Sequence, residues 1–63
     1  MKWQNGKFQY NDIANLFKKD LEKVGIKTGE IFIVGDGRYY VPYLPIGEKQ
    51  KEQALLILES HLW

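Results

Sequence analysis

The stretch IFIVGDGRYYVPYLP, residues 31–45, decides how this chain folds. Glu30 to Val34 is rich in β-branched and aromatic residues and is bounded by glycines, which predicts a strand. Arg38 to Leu44 predicts a second strand, and Gly35-Asp36-Gly37 predicts the hairpin turn between the two. Because Pro42 has no backbone N–H to donate, we expect the second strand to lie at a sheet edge or to carry a bulge.

Two registers are open for this hairpin. A two-residue Asp36-Gly37 turn pairs Val34 with Tyr39, whereas a three-residue loop ending in a Gly37 bulge moves the pairing by one residue. In both registers the two faces of the first strand are apolar, and a strand with one wet face normally alternates. We therefore expect the second face to be covered, either by the amino-terminal segment or by another chain.

The sequence on both sides of the hairpin predicts two helices. The first spans about residues 12–24, with Asn11 or Asp12 as its cap and Gly25 as its stop. Helical spacing predicts one apolar face, which only Asp20 interrupts. Its members are Ile13, Leu16, Phe17, Asp20, Leu21 and Val24. The second helix spans Glu48 to Leu62, and its core stripe comprises Ala54, Leu55, Leu58 and Leu62, with Ile57 and His61 at the margin.

At the amino terminus, Asn5-Gly6 is a strong two-residue turn signal and predicts a second hairpin. An irregular arm that leads into one strand is the alternative, and residues 27–29 are expected to be a connector. The fold expected is a single α+β domain over residues 1–63. It consists of a small antiparallel sheet of one or two hairpins with two helices packed on one face, in the order (ββ)αββα.

Length and composition limit how this chain can be stabilised and where it works. With 63 residues, no cysteine and one histidine, it has no disulfide or thiolate metal site, and we expect no structural zinc and no cofactor. Small domains then commonly rely on oligomerisation. Without an apolar leader or membrane span, we expect a soluble cytoplasmic protein of a bacterium, or of the host cell if the chain is phage-encoded.

Nothing in the sequence predicts catalysis. A phosphate-binding loop requires a helix directly after its glycines, whereas a strand follows Gly35-Asp36-Gly37. His61 has no nucleophile at a recognisable spacing, and we expect no pocket of several hundred Å³ in so small a core. We therefore predict that the protein is not an enzyme.

The predicted function is protein binding, because tyrosine, tryptophan and arginine dominate interface energetics. We expect a homodimer that docks on or inhibits a larger protein, and whether the sheet or a helix patch of Leu56 and Trp63 forms the dimer stays open. The candidate interface residues are Arg38, Tyr39, Tyr40, Tyr43, Leu56 and Trp63. The alternative is a nucleic-acid-binding module that uses Lys7, Phe8, Arg38 and Tyr40, although the net charge of +1 disfavours it.

Overall fold

The computed structural model describes residues 2–61 and builds them into four strands and two helices. In chain order these are β1 (Gln4–Phe8), α1 (Asn11–Lys23), β2 (Lys27–Thr28), β3 (Phe32–Ile33), β4 (Tyr39–Leu44) and α2 (Gly47–His61). β4 is the central strand and pairs antiparallel with β1 on one side and with β2 and β3 on the other. The predicted α+β class, with a small antiparallel sheet and two helices, is confirmed.

One face of the sheet forms the core together with both helices. Phe17 of α1 is fully buried, and its ring packs 4.9 Å from that of Phe8 and 5.6 Å from that of Tyr43, measured between centroids. Val41 of β4 and Ala54 of α2 belong to the same cluster. A core built around one phenylalanine therefore joins β1, β4, α1 and α2.

The prediction that Asn5-Gly6 forms a turn is wrong. Both residues lie inside β1, where Asn5 pairs with Pro42 and Gly6 with Val41. A Cβ atom on Gly6 would stand only 2.8 Å from a ring carbon of Phe17, so the glycine allows α1 to approach the sheet. The amino-terminal segment is thus an arm that leads into one strand, and it extends the sheet instead of crossing its second face.

The hairpin between β3 and β4 adopts the three-residue loop. Ile33 pairs with Tyr39, and the N–H of Val34 donates to the carbonyl of Arg38. Gly37 has φ +81°, a conformation that favours glycine, and its N–H donates to the carbonyl of Val34. The loop ending in a Gly37 bulge is therefore the correct alternative, and the two-residue turn is excluded.

Pro42 lies in the central strand, so its predicted edge position is wrong. A bulge does lie opposite Pro42, but in the partner segment and not in β4, because residues 29–31 face only residues 41 and 42 between the flanking β2 and β3 pairs. At this break the N–H of Gly29 donates to the carbonyl of Pro42 at 2.9 Å. The ring of Pro42 thus stands where a ladder donor is not required. Lys27 and Thr28, expected in a connector, pair with Leu44 and Tyr43 as β2.

Helix α1 ends as predicted but begins differently. The N–H of Gly25 donates to Glu22, and that of Ile26 to Leu21, which is the Schellman pattern with Gly25 at φ +82°. At the other end Tyr10 is the cap residue and makes no side-chain capping bond, so neither Asn11 nor Asp12 caps the helix. The buried side chains of α1 are Ala14, Phe17 and Leu21, whereas Leu16 and Val24, predicted to face the core, are exposed.

Helix α2 packs chiefly on α1 and uses a different stripe from the predicted one. Ala54 is buried and Ile57 and Leu58 pack partly against the core, but Leu55 is 54% exposed. The prediction for Leu55 is wrong because the side of α2 that meets α1 is centred on the Ala54–Leu58 edge of the stripe. The predicted core position Leu62 lies outside the described residues. Within residues 2–61, neither helix is long and apolar enough to cross a bilayer.

Candidate functional site

The face of the sheet opposite the helices is uncovered and aromatic. Along β4, Val41 and Tyr43 point into the core, so Tyr40 and Pro42 point the other way. Cross-strand pairing places Phe32 and Lys7 beside Tyr40 on that side. The ring of Trp3 reaches the same surface, because a Cβ on Gly29 would meet both Pro42 and Trp3. We call this surface the outer face and define it by Trp3, Lys7, Phe32, Tyr40 and Pro42.

Two aromatic side chains of the outer face, Phe32 and Tyr40, are in contact with each other. The rings of Phe32 and Tyr40 are 5.5 Å apart between centroids and tilted by 39°, which is the range of favourable aromatic pairs. The Nζ atom of Lys7 lies 5.7 Å from the centroid of Tyr40, a cation–π distance. Phe32 is 43% exposed, and Trp3 is similarly open to solvent. The surface is thus an ordered aromatic patch with a cation at its margin.

The outer face is also free of acidic residues from its own strands. β1 to β4 carry Lys7 and Lys27 but no aspartate or glutamate. Six of the eight acidic residues lie in the helices, and Glu30 and Asp36 lie in the segments on either side of β3. The four strands thus carry a charge of +2, whereas the two helices, with six acidic residues and five lysines, carry −1.

The predicted contact residues are divided between the two faces. Tyr40 belongs to the outer face, and Arg38 is exposed beside it, with its Nε 3.9 Å from Asp36 Oδ2. Tyr39 is half-buried against the core, and Tyr43 is only 8% exposed, so Tyr43 is not a surface contact as predicted. Among the predicted nucleic-acid contacts, Phe8 is likewise buried in the core and unavailable for stacking.

The predicted helix patch is only partly described. Leu56 is 66% exposed on α2, on the opposite side of the sheet from the outer face. Trp63 lies outside the described residues. The structure therefore does not bring Leu56 together with the tyrosines of the hairpin.

Two grooves open on the helix side and at the end of the sheet. The larger has a volume of about 590 Å³ and opens to solvent between α2 and the ends of β1 and β4, so it is a surface groove and not the internal core pocket that was not expected. It exists because α2 rests on α1 and leaves the start of β1 uncovered. The smaller has a volume of about 280 Å³ and is lined by Lys7, Arg38 and His61 among others, so it brings two predicted cationic contacts to one place.

A partly buried histidine–aspartate pair joins the two helices and was not predicted. His61 Nε2 lies 2.7 Å from Asp20 Oδ2, and the imidazole packs edge-on against Phe17 at 6.2 Å between centroids. The signal was present, because each is a polar residue within or beside an otherwise apolar stripe. The neighbouring Ser60 hydroxyl donates to the carbonyl of Ile57 and is occupied on its own helix. The pair therefore serves as a tie between α1 and α2.

Burial affects one titratable group at the larger groove. Tyr43 lines that groove, and its burial raises the pKa of its hydroxyl above the usual value of 10.0.

Comparison of the chain with protein-family models, with curated proteins and with solved structures found no match.

Proposed function

We propose that this chain is a small non-enzymatic protein-binding protein of the cytoplasm, which forms a homodimer and docks on a larger protein that it inhibits. The observation that supports the proposal is the outer face, where Trp3 and Phe32 are exposed and Tyr40 is half-buried beside the Phe32 ring. Exposed apolar side chains scattered singly are ordinary, but a contiguous aromatic patch is typical of a recognition surface.

The chemistry of the outer face suits a protein partner. Aromatic side chains supply large contact areas at low cost in conformational entropy, and they dominate the energetics of protein interfaces. The patch stands on the central strand, where Tyr40 lies between Phe32 and Lys7. A partner would bury this surface without having to order it first.

Self-association gives the same surface a second occupant. A chain of 63 residues buries only about 60% of its unfolded surface, so association adds stability that the small core lacks. Two-fold symmetry lets one patch cover its own copy, which is the commonest arrangement of soluble homo-oligomers. The homodimer and the complex with the larger partner would therefore compete for the outer face.

Sedimentation velocity over a concentration series tests self-association. We expect wild-type protein to form dimers. Phe32→Glu should raise the dimer dissociation constant at least about tenfold, because it places a charge in the surface that the dimer would bury. Leu56→Glu is the matched control, since Leu56 is exposed on α2 away from the outer face. A dimer broken by Leu56→Glu and intact in Phe32→Glu would assign the interface to the helix. A wild-type monomer at ~1 mM would contradict the dimer.

Affinity capture from cells that encode the chain tests the larger partner. We expect a specific protein to be retained by wild-type and Leu56→Glu chains and lost with Phe32→Glu. Retention of the same protein by all three chains would show that the outer face does not bind it. Functional inhibition is then measured on the captured partner with added wild-type chain.

Single-stranded nucleic acid is the second candidate ligand of the outer face. Lys7 over the ring of Tyr40, next to Phe32, is the combination of stacking platform and cation that such ligands use. The absence of carboxylates from the four strands removes local repulsion of phosphates. The local arrangement of side chains therefore favours nucleic-acid binding, whereas the net charge of +1 does not.

An oligonucleotide titration separates the two candidates. Nucleic-acid binding predicts affinity that falls steeply between about 50 and 200 mM salt and weakens with Lys7→Gln. The matched control is Lys49→Gln on the exposed side of α2. Binding that is absent at low salt, or equal in the two variants, would exclude nucleic acid as the ligand of this face.

A further inference from the structure

The larger groove, which we call the α2 groove, lies on the helix side of the sheet and is independent of the outer face. Tyr43 and Ala54 form its floor, Ile46 and Leu55 its apolar walls, and Lys2 and Lys51 stand among its lining residues. Its volume of about 590 Å³ falls within the range of small-molecule sites, which is roughly 300–1,000 Å³. The groove is thus large enough for a small-molecule ligand and lies outside the outer face.

The apolar walls of the α2 groove are aliphatic and exposed to water. Ile46 and Leu55 are each 54% exposed, although the two residues line one concave surface. An alkyl chain laid along these walls would remove aliphatic area from water, which is favourable in proportion to the area buried. Tyr43, the aromatic residue of the lining, is only 8% exposed and packs on Phe17, so the exposed walls favour a flexible aliphatic ligand over a planar one.

Its charge is of one sign. Lys2 and Lys51 line the groove and no aspartate or glutamate does. Lys51 has a partner in Glu48 at 3.8 Å, but the Glu48 side chain is 91% exposed, so this pair is solvated and weak. Helix α2 begins at Gly47 on the same rim, with its positive dipole end. The groove therefore attracts an anion.

Tyr43 adds a hydrogen-bond donor at the floor. Its side chain is 8% exposed, and its hydroxyl makes no hydrogen bond to the residues that the structure describes. A tyrosine hydroxyl whose pKa lies at or above the usual value of 10.0 is protonated at neutral pH and can donate. An anionic ligand oxygen would accept a hydrogen bond from this hydroxyl, which is not cut off from solvent.

The wall next to the α2 start is held in place before any ligand arrives. The N–H of Ile46 donates to Gln50 Oε1 at 2.9 Å, and Gln50 Nε2 donates to the carbonyl of Gly25 at 3.4 Å. Gln50 thereby ties the loop before α2 to the end of α1. A preformed groove loses little ordering entropy when it binds.

We infer that the α2 groove binds a linear alkyl carboxylate, a medium-chain fatty acid, with its carboxylate at Lys2, Lys51 and the Tyr43 hydroxyl. The alkyl tail lies against Ile46 and Leu55. Aliphatic walls alone would accept any apolar chain, and the lysines alone any anion. Their combination in one groove selects a molecule that carries both.

Dodecanoate, used below its micellar concentration, is the probe for this site. Titration followed by amide chemical shifts should perturb residues of the α2 groove and saturate at one molecule per chain. Dodecyltrimethylammonium has a similar tail and the opposite charge, and we expect it to bind at least about tenfold more weakly. Equal affinity for the two amphiphiles, or no saturable binding of dodecanoate, would overturn the inference.

Two matched pairs of variants locate the binding. Lys51→Gln should weaken dodecanoate about fivefold, the effect expected of one exposed charge pair, while Lys49→Gln should leave it unchanged. Leu55→Asp should weaken it at least about tenfold, while Leu56→Asp, one position along and outside the groove, should not. Each variant is checked for its native circular dichroism. Equal effects within both pairs would show that dodecanoate binds elsewhere and overturn the assignment.

Discussion

The two faces of β4 carry similar side chains and meet different surroundings. On the inner side Val41 and Tyr43 pack against Phe17 and are almost completely buried. On the outer side Tyr40 and Pro42 are only half-buried, and the helices do not reach them. The chemistry of a strand residue therefore does not decide whether it forms core. The decisive element is α1, which closes on the inner side through Gly6.

The largest expected contrast between the faces is in stability. Phe17→Ala empties the centre of the core and should lower the free energy of unfolding by about 3–5 kcal/mol. Phe32→Ala removes the same side chain from the outer face, where it is 43% exposed, and should cost about 1 kcal/mol or less. Urea denaturation measured at a concentration where the chain is monomeric compares the two. Similar losses for both variants would mean that the outer face is part of the core.

Gly6 and Gly35 sharpen the comparison at the level of a single methyl group. Gly6→Ala places a Cβ 2.8 Å from the Phe17 ring and should destabilise by about 1–3 kcal/mol, because α1 must move away from the sheet. Gly35→Ala meets nothing within 4 Å and should change stability by less than about 0.5 kcal/mol. Denaturation midpoints measure both. A neutral Gly6→Ala would refute the close approach of α1.

The tie between the helices is the next largest effect, because it holds the layer that covers the inner face. Asp20→Ala removes the partner of His61 and should cost about 1–2 kcal/mol. Lys23→Ala is the control, since Lys23 Nζ is 4.0 Å from Asp20 Oδ1 and largely exposed, and it should be nearly neutral. If Asp20→Ala and Lys23→Ala unfold at the same denaturant concentration, the histidine–aspartate pair contributes nothing.

The smallest expected effect is a dependence of stability on pH through the Tyr43 hydroxyl. The pKa of Tyr43 is raised in the folded chain, so above about pH 10 the unfolded chain loses this proton first and stability falls. Tyr43→Phe should remove that part of the fall, whereas Tyr10→Phe, an exposed tyrosine, should not. Unfolding free energies measured between about pH 8 and pH 11 for the three chains test this. Parallel curves would place Tyr43 in water.

Patterns that depend on local geometry were predictable from the sequence. The end of α1 at Gly25 and the hairpin turn at Gly35-Asp36-Gly37 both follow from the need for positive φ at glycine, although the register of the hairpin stayed open. The α+β class follows from the periods of the segments. In each case the residues that fix the structure are neighbours along the chain.

Features that depend on tertiary contact were not predictable in the same way. Asn5-Gly6 carries the signal of a turn, but the Phe17 ring requires a glycine inside a strand at that position. The stripe of α2 placed Leu55 in the core because helical periodicity gives relative angles and not the direction of the neighbouring helix. The α2 groove arises from the same cause, since it is the space left where α2 packs on α1.

The outer face as an association surface is the central claim, and solvent paramagnetic relaxation tests it most directly. With a soluble gadolinium chelate, we expect the ring protons of Phe32 and Tyr40 to be strongly attenuated in dilute wild-type protein. At ~1 mM their attenuation should fall at least about twofold as the dimer forms, while the methyl groups of Leu56 remain attenuated. Protection of Leu56 instead, or unchanged attenuation of Phe32 and Tyr40 at every concentration, would contradict the claim.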